Sequence, residues 1–131
     1  PLAKAKVYYA IANKYKAKGS LSQARSFYRK ALKFQPSLGV AYLKIAQMYA
    51  ASANNCGETS FEKRAVYWLA AEYADRAGKV DPSLKSNASQ TAASYRGTAP
   101  QKQDIFTSDY KTGDNISFGC WVGESVRVPA L

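Results

Sequence analysis

The chain has no histidine and only two cysteines, Cys56 and Cys120. Ser-His-Asp and Cys-His nucleophile pairs, histidine metal sites and four-cysteine zinc sites therefore cannot be assembled from its own residues. Acidic residues are missing from the first fifty positions, which carry Lys4, Lys6, Lys14, Lys16, Lys18, Arg25, Arg29, Lys30, Lys33 and Lys44. Long apolar runs are missing too, because charged residues interrupt every hydrophobic stretch well short of the ~20 residues that a bilayer-spanning helix needs. The chain opens at Pro1 on an amphipathic pattern and not on a basic-apolar-small leader, so it reads as part of a longer protein whose upstream segments decide its compartment.

What is present has the size of one domain: 131 residues, enough to bury a core without metals or several disulfides. The net charge of +10 belongs wholly to the first fifty residues, since nine basic and nine acidic residues balance in the remainder. Such asymmetry marks either a contact with nucleic acid or another polyanion, or a solvated face whose acidic complement lies elsewhere.

An internal repeat organises the chain. Tyr8, Ile11, Ala12 and Tyr15 recur as Tyr42, Ile45, Ala46 and Tyr49 at an offset of 34, and Ala31-Leu-Lys-Phe-Gln-Pro36 recurs as Ala77-Gly-Lys-Val-Asp-Pro82. These residues resemble the tetratricopeptide repeat family, whose unit is a helix-turn-helix of 34 residues. Within that resemblance Gly19 turns the chain, Ala24, Tyr28 and Ala31 mark the second helix, and Pro36 closes the first unit. Small residues such as Ala12 and Ala24 let paired helices approach, while the tyrosines fill gaps between units.

The later units depart from the pattern. Pro36 to Pro82 spans 46 residues, so the second unit carries an insertion around Asn54 to Ser60, where Thr59 or Ser60 can cap the next helix. A third unit starts near Pro82 with Leu84, Ala88, Thr91, Ala92 and Tyr95, ends at Arg96-Gly97, and is followed by a short helix from Pro100 through Phe106. From Gly113 the period changes to two: Ile116, Phe118, Cys120 and Val122 alternate with Ser117, Gly119 and Trp121. With Gly123-Glu124 as a tight turn before Val126 and Val128, this predicts a β-hairpin that caps the open end of the array.

The expected architecture is a single, mainly α domain over 1–131, a right-handed α-α helical repeat. Its parts are repeat one at about 5–38, repeat two with its insertion at 39–84, a partial repeat at 85–108 and a hairpin cap at 113–129. Cys56 and Cys120 occupy the only two segments that break the repeat, and a disulfide between them would close a loop of 65 residues. The arrangement also resembles the C-terminal part of bacterial envelope tetratricopeptide proteins, which implies a periplasmic or envelope-associated location. Free thiols would instead fit a cytoplasmic one.

No catalytic constellation is legible. Glu58 with Glu62, and Asp109 with Asp114, lack surroundings that would separate their pKa values, and Gly119 to Gly123 has neither the helix nor the lysine of a phosphate loop. The sequence is read as non-enzymatic, with no cofactor or metal. The repeat absorbs most of the aromatic residues, which argues against nucleic acid as the partner. The resemblance implies instead a groove lined by the first helix of each unit, where Lys6, Tyr9, Asn13, Leu43, Lys44 and Gln47 would meet a partner peptide. Asn13 matches a peptide-carboxylate contact of the family's chaperone-binding members, but Tyr9 stands in place of the partner lysine. The rival surface is a basic stripe of Arg25, Arg29 and Lys33 for nucleic acid or an anionic envelope polymer. Oligomeric state stays open.

Overall fold

The computed structural model describes residues 1–131 and is mainly helical, with one small antiparallel sheet. In chain order it has α1 (Leu2–Ala17), α2 (Leu21–Phe34), α3 (Gly39–Ala51), α4 (Ser60–Val80), α5 (Lys85–Thr98), α6 (Lys102–Phe106), β1 (Asn115–Ser117) and β2 (Ser125–Arg127). Short 3-10 turns at Ala53–Asn55 and Pro82–Leu84 lead into α4 and α5. No helix is long and apolar enough to cross a membrane.

Alanine sets the helix packing. Ala5 and Ala12 of α1 meet Ala24, Tyr28 and Ala31 of α2, all fully buried, so that the two backbones approach closely. The same device joins α3 to α4 through Ala41, Ala46, Ala70 and Ala74, and α4 to α5 through Ala77, Ala88 and Ala92. At the start of α3 even a methyl is too large: a Cβ on Gly39 would lie 2.6 Å from the Ala77 carbonyl oxygen.

The longest helix, α4, packs on both α3 and α5 and supports the hairpin as well. It begins in a reciprocal cap: Thr59 accepts from the Glu62 amide, and the Glu62 side chain accepts from the Thr59 amide. Of the two residues proposed for this task from sequence, Thr59 performs it. Farther along, α5 runs through Arg96 and Gly97 to Thr98, one residue beyond the stop expected there.

The hairpin differs from expectation in its turn. β1 and β2 pair Asn115 with Arg127, Ile116 with Val126 and Ser117 with Ser125. Residues 118–124 form the connection between them, not a second half of β1 closed by a two-residue turn. On the turn side the Phe118 amide, donating to the Glu124 carbonyl, extends the ladder, and at the open end the Val128 amide donates to the Asp114 carbonyl. Alternation fails beyond Phe118, since Trp121 turns inward and its indole N–H donates to the buried Ser52 hydroxyl at 2.8 Å. Ile116, Phe118, Val122, Val126 and Val128 are nonetheless all buried and continuous with the helical core.

Candidate functional site

The most elaborated surface lies where the 118–124 connection crosses α2, α3 and α4. Two anchors hold it there. Cys56, in the inserted loop, and Cys120 stand at disulfide distance, with sulfurs 2.10 Å apart. Ser52, at the end of α3, donates to the Met48 carbonyl and accepts from Trp121, so the insertion and the C-terminal connection fit one against the other.

Arg25 of α2 reads the backbone of this segment. Its guanidinium donates to the Val122 carbonyl at 2.5 Å, to the Trp121 carbonyl at 3.0 Å and to the Tyr49 hydroxyl at 2.9 Å. The same group lies 4.9 Å from the Trp121 ring centroid, within cation-π range. Gly123 then adopts φ +59°, a left-handed conformation that glycine takes without strain, and this bend delivers Glu124 back toward the helices.

Glu124 ends in a cluster of donors. One carboxylate oxygen accepts from the hydroxyls of Tyr49 and Tyr73, the latter at 2.7 Å, and lies 3.4 Å from the Arg29 guanidinium. Burial, reinforced by the bond to Glu124, holds the Tyr49 hydroxyl far above its ordinary pKa, so it stays protonated and donates. Tyr49 and Tyr73 meet edge to face with centroids 5.0 Å apart. Glu124 is the only acidic side chain that forms an ion pair with a cation of the first fifty residues.

Beside this cluster opens a cavity of about 300 Å³. Leu32, Ile45, Tyr42 and Tyr73 form its wall, the two aliphatic side chains buried beneath it, and the exposed Arg29, Lys33 and Arg76 surround it with positive charge. The Arg76 guanidinium lies 4.6 Å from the Tyr73 centroid and 5.8 Å from that of Tyr42.

The residues singled out from sequence distribute unevenly over this geometry. Of the basic stripe, Arg25 is half-buried against the C-terminal connection, Arg29 is exposed and lies 3.4 Å from Glu124, and Lys33 is exposed and forms no ion pair. In the expected groove, Tyr9 is half-buried with its ring 5.6 Å from that of Tyr28, and Asn13 accepts a hydrogen bond from the Tyr28 hydroxyl. Both therefore support α2. Lys6 and Gln47 are exposed, Leu43 and Lys44 half-buried, and none of the six lines a main cavity.

Sequence reasoning passed over Glu124, Tyr73 and Arg76 as parts of a site. The available signal was the acid-free first half, which needs a carboxylate from elsewhere in the chain. The acidic pairs weighed earlier are occupied structurally: Glu62 accepts from the Tyr110 hydroxyl and from the Glu58 and Thr59 amides, and Asp114 accepts from the Lys111 amide. No family model, curated protein or solved structure matches the chain.

Proposed function

We propose that the chain is a non-catalytic protein-interaction scaffold built from tetratricopeptide-like helix pairs, and that its helical faces receive extended segments of a partner protein. The observation that carries this reading is the grip on residues 121–124. Arg25 takes two successive main-chain carbonyls while Tyr49, Tyr73 and Arg29 take the following carboxylate. Hydrogen bonds to main-chain carbonyls combined with one side-chain subsite are how a folded surface holds a peptide. The succession of helix pairs joined through buried alanines supports the repeat reading, and the cysteine pair at bonding distance is compatible with an oxidising periplasmic or envelope compartment.

An array of short acidic, neutral and basic peptides, probed with the full chain, tests the reading. Saturable binding that survives raised salt is expected. Amide shifts confined to one helical face would locate it, and Tyr9→Ala and Lys44→Glu report on the face of Lys6, Tyr9, Asn13, Leu43, Lys44 and Gln47. Binding confined to polyanions, with a steep loss of affinity as salt rises, would replace the scaffold by a basic surface module.

A further inference from the structure

We infer that the cavity between α2, α3 and α4 is a subsite for an aspartate or glutamate side chain of a partner protein, adjacent to the carboxylate that the chain supplies through Glu124. This rests on the interaction-scaffold reading and names the chemistry of the partner.

Charge is the first argument. Three cations border the cavity, and Glu124 engages only Arg29. Lys33 and Arg76 form no ion pair; the other two ion pairs of the chain, Arg64–Asp104 and Arg96–Asp75, lie elsewhere. Glu72, one turn before Arg76 on α4, acts on Arg76 electrostatically while also bordering a second cavity, beside Trp68 and Arg127. Lys33 is thus the cation of the site with no acidic partner, Arg76 is offset in part by Glu72, and all three cations are exposed to an incoming carboxylate.

Shape and stacking favour a carboxylate side chain over a nucleic acid. Arg76 already stacks over Tyr73 and lies above Tyr42, so those rings are not open platforms for a base. Stacking also holds the guanidinium plane while leaving its in-plane N–H donors available, the arrangement that suits bidentate capture of a carboxylate. The neighbouring Glu124 shows the same face already accepting one carboxylate through Tyr49, Tyr73 and Arg29.

The test is titration of the full, oxidised chain with a short acetylated and amidated peptide carrying two glutamates around a leucine, with its glutamine counterpart alongside. The glutamate peptide is expected to bind and the glutamine peptide to bind about tenfold more weakly or not at all. Lys33→Glu and Arg76→Glu should each weaken the glutamate peptide by about tenfold. Lys18→Glu, which changes net charge equally at an exposed site on the far end of α1, should leave it within about twofold. If Arg76→Glu fails to fold, Lys33→Gln and the shifts of the Arg29 and Arg76 side-chain N–H signals in the unaltered chain carry the test. Peptide binding indifferent to Lys33 and Arg76 would overturn the subsite and leave the scaffold reading standing. Absence of binding for every peptide of the array would overturn both. Random single-stranded DNA bound more tightly than the glutamate peptide, and weakened by the same two reversals, would assign the cavity to phosphate instead.

Discussion

Arg25 and Trp121, 96 residues apart in sequence, are joined twice: the guanidinium donates to the Trp121 carbonyl and lies over the Trp121 indole. A cation of α2 therefore fastens the last segment of the chain. Replacing Arg25 by Ala leaves the Trp121 and Val122 carbonyls without their donor and is expected to cost about 2 kcal/mol in urea unfolding. Arg25→Lys should recover only part of this, because a single ammonium cannot reproduce two parallel donors and a stacked plane. A loss below about 0.5 kcal/mol for the alanine variant would mean that the contact contributes nothing net.

The cysteine pair is expected to be oxidised in protein purified without reductant. Alkylation under denaturing conditions, followed by intact mass, should add no label before reduction and two labels after it; two labels without reductant would refute the bond. In the chain-entropy picture a cross-link over this separation stabilises by about 4 kcal/mol, an upper figure. The Cys56→Ser, Cys120→Ser double variant should accordingly melt lower than the oxidised chain.

Residues Ile116 to Val128 are expected to be structural, since Ile116, Phe118, Val122, Val126 and Val128 are all buried in the common core. A chain ending at Gly113 would expose the helices they cover and lose the Arg25 and Glu124 contacts together. It should unfold at a clearly lower temperature. An unchanged melting temperature would remove the capping role.

Stability should also depend on pH through Glu62. Its hydrogen bond from Tyr110, and then those from the Glu58 and Thr59 amides, hold the carboxyl below the ordinary carboxylate range. A group with a lowered folded-state pKa contributes stability above its unfolded value and loses it as pH falls through the folded value. Wild type should therefore exceed Glu62→Gln in urea midpoint at neutral pH, with the gap closing in acid. A gap independent of pH would assign the effect to packing alone.

Charge reversal of Arg25 and Arg29, which would interrogate an open basic stripe, now has a different expected outcome. Both side chains engage the C-terminal connection. Their double reversal to Glu should lower thermal stability before it reports on any ligand, and an unchanged melting temperature would restore the stripe as a free surface.

Much of the helical layout was legible because it depends on local rules. The turn at Gly19, the end of α2 before Pro36, the cap at Thr59 and the alanine positions of each helix pair follow from backbone preference and helical spacing. The hairpin's existence was legible for the same reason. Its turn was not, because period-two alternation continues through Val122 in sequence while Cys120 is drawn toward Cys56 and Trp121 toward Ser52.

The amino-acid sequence by itself determined the helices, their pairing through small residues, the acid-free charge of the first half and the two cysteines placed outside the helices. Tertiary structure alone decided that Glu124 meets Tyr49, Tyr73 and Arg29, and that Arg76 lies over the tyrosines beside the cavity. Those contacts join residues separated by up to 95 positions, so no local propensity encodes them. They form only when the buried face of the hairpin has docked on the helices and carried the connection, with its bend at Gly123, across α2, α3 and α4.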